Sequence, residues 1–379
     1  MTILAASFLF QRGLLIFTGI VMQFLKTINR NKNNLFRKIK KTALLCLIRT
    51  IRTRDDFDPV KAHKILILRL DDKIGDMVVT TGTAFKLAEK GYRVSVLTGP
   101  VCGQLLQNCD YFDQVIQYKN RMSLDLLHAQ KFDVVIDFDD VQDYERLNLA
   151  WQMRSSHHVG FNKSLPGIYN ASIRYLDAEK HITERHKRVL ALFDIHETSF
   201  DYQLGHCVKE QNRVKNALRI TDNDIVVSVN PFSGATDKDL SEEQVISLIH
   251  FIHSINPEIK VVVIGQSNKV RTFSAHGAFI MPESTINTAV EIVRISDAVV
   301  STDTSIVHIA NALNRPLVAL YNKRKLKDTG LLGYKIWAPN YPQGNQIVVE
   351  DDYISHCSIN TIFPAVETTI RAASVLKHP

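Results

Sequence analysis

The stretch that most constrains this chain is Lys64-Ile-Leu-Ile-Leu-Arg-Leu-Asp-Asp-Lys-Ile-Gly-Asp-Met-Val-Val-Thr-Thr81, an apolar run that breaks into a polar turn holding Gly75 and Asp76. Ile65 to Leu68 read as a strand buried on both faces, and Met77 through Ala88 reads as the helix that follows. Asp76 then sits at a strand-to-helix turn, the edge of an open α/β sheet where ligands bind, and is equally suited to capping the helix. A second stretch, Asp297-Ala-Val-Val-Ser-Thr-Asp303-Thr-Ser-Ile-Val-His308, repeats the order of strand, polar turn and helix. Helix N-termini present unpaired N–H groups and a positive dipole end, which suit a phosphate. The two turns read as two halves of one site.

The rest of the chain supports that division. A length of 379 residues exceeds what one core usually serves, so two domains are expected. Strands are predicted at Val94 to Leu97, Gln114 to Gln117 and Phe132 to Asp137, with a helix over Met122 to Gln130. The second half repeats the pattern at Ile225 to Val229, Lys260 to Ile264, Ala298 to Ser301 and Leu317 to Leu320. Such βα repetition implies two Rossmann-like domains with parallel sheets. The boundary is expected after a helix over Ile182 to Phe193, in the aperiodic stretch His196 to Val208. That places an N-terminal segment at 1–60 and domains at 61–200 and 201–379.

Charge is unevenly placed. Residues 1 to 54 hold eleven Lys or Arg and no Asp or Glu, so with a net charge of +7 overall the remainder carries −4. The apolar stretch Met1 to Leu25 is interrupted by Gln11-Arg12-Gly13, leaving too few consecutive apolar residues for a span of about 20. It also lacks the basic start and small-residue cleavage site of a secretory signal; translation begins at Met1 or Met22. From Leu35 to Ile51, Leu35, Ile39, Ala43, Leu47 and Ile51 recur every fourth position beside Arg37, Lys38, Lys40 and Lys41. This basic amphipathic helix suits either docking on an anionic membrane or packing on the body with solvated lysines. No nucleic-acid reading motif accompanies the charge. Five cysteines without C-x-x-C spacing suggest neither a disulfide framework nor a zinc site, and point to a reducing cytoplasm.

The turn from Arg69 to Asp76, the Asp303-Thr-x-x-x-His308 turn, the strand Lys131 to Asp137, the segment His181 to Arg185 and the strand Val226 to Asn230 together resemble the heptosyltransferase family of bacterial glycosyltransferases, glycosyltransferase family 9. The resemblance runs from about Lys64 to about Ala372. It implies the two-domain GT-B fold and an inverting transfer of heptose from ADP-heptose to the inner core of lipopolysaccharide, at the inner face of the cytoplasmic membrane. Asp76 is then the general base, and Arg69, Asp72 and Lys73 orient the acceptor. Ser233, Lys238, Asp303, Thr304, Ser305 and His308 serve the donor, with Lys238 neutralising the departing diphosphate; His308 contacts phosphate or braces its turn. Ser305 stands where the family usually has Gly. No cofactor is required, and no metal is expected, although Asp137-Phe-Asp139-Asp140 contains an Asp-x-Asp unit of the sort that holds a divalent ion in another glycosyltransferase fold. Alternatives are transfer of another nucleotide sugar to a surface glycan, or a non-catalytic nucleotide-binding protein. A nicotinamide oxidoreductase is disfavoured because no G-x-G-x-x-G follows either opening strand.

Overall fold

The computed structural model describes residues 32–48, 57–119, 124–138, 142–173, 180–326 and 330–377, less positions 60, 154, 156, 164 and 166. Met1 to Leu25, Ile51, Asp139 and Asp140 lie outside the described residues. The first helix, α1 (residues 32–48), precedes a run of β1 (Lys64–Arg69), α2 (Ile74–Glu89), β2 (Arg93–Thr98), α3 (Pro100–Leu105), β3 (Phe112–Gln117), α4 (Asp125–Gln130), β4 (Val134–Asp137), α5 (Tyr144–Gln152), β5 (His157–Phe161) and β6 (Ala171–Ile173). These six strands pair in parallel in the order β3-β2-β1-β4-β5-β6. Two-residue alternation splits β1 between both faces. Ile65 and Ile67 join one buried cluster, whereas Leu66 and Leu68 join another with Leu97 and Val135.

Helices α6 (Thr183–Ala191) and α7 (Val208–Leu218) lead to a second sheet. It is built from β7 (Val226–Asn230), α8 (Glu242–Ile255), β8 (Lys260–Val263), α9 (Ser267–Val270), α10 (Ile286–Ile295), β9 (Ala298–Thr302), α11 (Ser305–Ala312), β10 (Leu317–Tyr321), α12 (Gly333–Ile336), β11 (Gly344–Val348) and α13 (Phe363–Lys377). Its strands are parallel in the order β11-β10-β9-β7-β8. Capping boxes fix the starts of two of its helices, Ser241 with Gln244 on α8 and Thr285 with Thr288 on α10.

Both strand orders reverse direction once, between β1 and β4 in the first sheet and between β7 and β9 in the second. A crevice opens at the carboxyl ends of the strands at such a switch point, which is where open α/β sheets bind ligands. Three strands depart from the sequence expectation. β5 carries two histidines and a glycine, β6 has only three residues, and β11 is a half-buried edge strand rich in polar residues. None offers the apolar run that marks β1, β4, β7 and β10. Helix α2 also starts earlier than expected. Lys73 takes the N-cap position without a side-chain cap, and Asp76 lies inside the first turn, so Asp76 is not the cap.

The segment joining the sheets is held against the first by backbone contact. Gly205 lies so close to Asn108 that a Cβ there would stand 1.8 Å from the Asn108 carbonyl oxygen, and its N–H donates to Cys109 Sγ. Gly205→Ala should therefore destabilise the protein by about 3 kcal/mol, the upper end of overpacking costs. Gly234→Ala, where an added Cβ meets nothing within 4 Å, should leave urea unfolding unchanged. Equal midpoints for the two variants would show that the segment accommodates a side chain.

Candidate active site

Each opening strand ends in a polar side chain that reaches across its switch point. On the first sheet Arg69 closes β1, and its guanidinium donates to the Phe138 carbonyl just beyond β4 at 3.1 Å and to the Asp76 carboxylate. Arg69 is 5% exposed and Asp76 17%, so this ion pair is largely withdrawn from water yet leaves an edge of the carboxylate accessible. A fork of fixed donors suits two acceptors at once. Arg69 thus holds Asp76 to the end of β4.

The neighbours named from sequence divide. Asp72 adopts φ +54 and accepts from the N–H groups of Val101 and Cys102 at 3.1 and 2.7 Å, capping α3. A Cβ on Gly99 would lie 2.4 Å from the Asp72 carboxyl carbon, so Gly99 is what lets that cap form. Both Asp72 oxygens are thus engaged in the cap. Lys73 remains exposed, with its ammonium 3.9 Å from Asp71. Asp137 accepts from Lys163 Nζ at 2.5 Å and Tyr169 Oη at 2.7 Å in a buried cluster. That engagement argues against a metal at Asp137, and among the described residues no group of three His, Cys, Asp or Glu is placed to hold one.

On the second sheet Asn230 plays the part of Arg69. Its Nδ2 donates to Ser301 Oγ at 3.1 Å and Thr304 Oγ1 at 2.9 Å, tying β7 to the turn after β9. Thr304 is the N-cap of α11 and accepts from the Ile306 N–H, so the helix starts with its N–H end at the switch point. Lys238, on the 3-10 turn Thr236–Lys238, places its ammonium 2.5 Å from the Asp303 carboxylate. Burial pushes the Asp303 carboxyl up from its ordinary range, and Lys238 opposes that shift. Ser233 is turned into its own loop, its hydroxyl bonded to Ala235 O and its N–H to Asp239. The Ser305 hydroxyl makes no hydrogen bond among the described residues, and Ser305 begins α11.

The two halves meet at the first turns of α2 and α11. A Cβ on Gly75 would stand 3.2 Å from the His308 ring and 3.7 Å from Ser305 Cα. His308 is buried, edge-on to Tyr202 and Trp337 at 6.0 and 5.6 Å. Burial holds its imidazole down at about 3, and among the described residues Nδ1 has no partner. His308 thus packs between the halves, in keeping with the bracing alternative of its two sequence readings. Asn230, Tyr202 and Trp337 were not singled out from sequence. Asn230 had a signal, a polar residue ending an apolar strand as Arg69 does; the two aromatics had none.

A profile of glycosyltransferase family 9 (heptosyltransferase) matches residues 124–350, more than half of the chain. The chain belongs to glycosyltransferase family 9. It is accordingly a glycosyltransferase of the heptosyltransferase type. The matched stretch includes Lys238, Asp303 and His308 and begins after Asp76. A relative from Escherichia coli strain K12, which bears the provisional name lipopolysaccharide heptosyltransferase 4, is 24% identical over 333 residues, covering 86% of this chain and 92% of the relative. Two solved structures share the fold. The family 9 glycosyl transferase of Veillonella parvula matches at TM-score 0.69 and 16% identity, over 82% of this chain and 97% of its own. The ADP-heptose lipopolysaccharide heptosyltransferase II of Escherichia coli matches at 0.66 and 17%, over 82% and 99%.

Three imidazoles lie near this junction, His308 and His186 buried and His181 half-buried, and desolvation depresses all of them: His308 to about 3, His181 to about 4, and His186, which also sits near Arg69, well below the ordinary value. The unfolded chain then takes up protons first as the pH falls. Stability should be level above about pH 7 and decline from about 6.5 toward 4, because ν_U exceeds ν_N there. Urea midpoints between pH 8 and 4.5 check this; the decline should shrink in His308→Phe, and an equal decline in that variant would remove His308 from the account.

Proposed function

We propose that this enzyme transfers a heptose from ADP-heptose to the inner core of lipopolysaccharide by a single inverting displacement, with Asp76 as general base. The observation that carries the reading is the contact of Gly75 with Ser305 and His308, which sets the Asp76 turn of the first sheet against the Asp303 turn of the second. Residues 61–200 would hold the acceptor and 201–379 the donor. The acceptor hydroxyl gives its proton to Asp76 as its oxygen bonds to the anomeric carbon, and the bond from that carbon to the diphosphate breaks on the opposite face. ADP leaves with the bonding electrons. Lys238 and the N–H end of α11 stabilise the charge that develops on the diphosphate. The name of heptosyltransferase II supports ADP-heptose as the donor class. No metal or other cofactor enters this scheme.

Among the described residues no helix is long and apolar enough to cross a membrane. The lipopolysaccharide acceptor and the basic N-terminal segment support a location on the inner face of the cytoplasmic membrane.

Two variants test the scheme. Asp76→Asn keeps the shape of the Arg69 contact and should lower transfer by about 100 to 10,000-fold, the usual worth of a general base, with ADP binding unchanged by calorimetry. Activity above a tenth of wild type would leave Asp76 only a structural partner of Arg69. Lys238→Ala should weaken ADP far more than adenosine, by about 1.5 to 3 kcal/mol for a charged hydrogen bond. Equal weakening of the two ligands would take Lys238 off the diphosphate.

A further inference from the structure

Helix α1 has two apolar faces, and only one of them is used by the body. Leu44 and Ile48 are buried against Leu147, Ala150, Ile168 and Tyr169 on the acceptor side. A Cβ on Gly167 would lie 2.8 Å from the Ile48 side chain, so the helix is seated closely. Arg37 pairs with Glu145 at 3.7 Å, and Lys40 lies 5.6 Å from the Tyr144 ring, fixing its rotation over α5. At about 100° per residue, Leu35, Phe36, Ile39, Ala43 and Leu47 fall in one arc of roughly 120°, and Leu44 and Ile48 fall outside it. Leu35, Phe36 and Ile39 are 60%, 58% and 56% exposed. Lys40 borders this arc over the Phe36 ring at 4.7 Å, and Lys38 is exposed.

The geometry points to this outer arc as a docking surface for an anionic phospholipid bilayer. Charge selects that occupant. Residues 1 to 54 carry eleven basic residues and no acidic one, whereas the remainder is net −4 and would be repelled by an anionic surface. An apolar arc bordered by lysines is the pattern that lies in the headgroup layer, with aromatic and aliphatic side chains below and ammonium groups at the phosphates. Because the inner face is packed on α5, docking through α1 holds the first domain at the membrane. This deepens the membrane-face location proposed above and rests on it for the identity of the acceptor.

Flotation of the full chain with vesicles of phosphatidylglycerol and phosphatidylcholine, or of phosphatidylcholine alone, tests the surface. Wild type should bind the anionic vesicles and weaken with salt. The triple variant Leu35→Ser, Phe36→Ser, Ile39→Ser removes exposed side chains only and should partition at least about tenfold more weakly, with unchanged circular dichroism and unchanged transfer to a water-soluble acceptor. The pair Lys38→Glu, Lys40→Glu should also lose anionic binding, and it supplies the test if the triple variant misfolds. Binding equal to wild type in these variants, or no anionic binding by wild type, overturns the inference. So does a triple variant that converts an oligomer to a monomer in light scattering with vesicle binding intact, which would make a second copy the occupant. Vesicle binding without transfer of any heptose would instead contradict the proposed reaction and leave the docking surface standing.

Discussion

The missing side chain at Gly75 is the constraint on which the site depends. Helices α2 and α11 start at the switch points of two different sheets, and their first turns come together at Gly75, where a Cβ would be tight against the His308 ring and in ordinary contact with Ser305 Cα. The His308 ring would have to give by a few tenths of an ångström to admit a Cβ. That approach sets the first turn of α2, which carries the Asp76 carboxylate pinned by Arg69, against the start of α11, whose preceding turn carries Asp303 paired with Lys238. The cost is a neutral imidazole buried among aromatics, which ties the seam between the halves to acid.

The two sheets solve one problem twice. Each opening strand ends in a side chain with several donors, Arg69 or Asn230, that bonds to the far side of its switch point. Backbone and hydroxyl groups left over at a crevice need partners, and these side chains supply them while fixing the width of the opening. The difference between the two is charge. Arg69 holds a carboxylate that can take a proton, whereas Asn230 is neutral and orders a helix N-terminus suited to anions. The proposed division, base chemistry on one side and phosphate chemistry on the other, rests on which residue ends the first strand.

Sequence pattern carried the parallel strands with unbroken apolar runs, because burial on both faces leaves little room for polar residues. It missed β5, β6 and β11, whose short or polar sequences are strands only because a neighbour offers an edge. Asp76, Lys238, Asp303 and Thr304 could be singled out as candidates because turns after apolar strands are visible in one dimension. Partners across the fold were not. Nothing local marks Asp72 as the cap of α3, 30 residues on, or Tyr202 and Trp337 as the walls around His308. The N-terminal segment shows the same limit. Its fourfold apolar repeat offered membrane docking and packing on the body as rivals, whereas the helix uses Leu44 and Ile48 for packing and keeps Leu35, Phe36 and Ile39 outside.

The central claim is that the second sheet's switch point receives the diphosphate while the first keeps the base. A crystal structure of the enzyme soaked with ADP tests it most directly. The account predicts the diphosphate between Lys238 Nζ and the N–H groups at the start of α11, with Asp76 still joined to Arg69 and free of the nucleotide. A diphosphate seated instead at the carboxyl end of β1, beside Arg69 and Asp76, would contradict it.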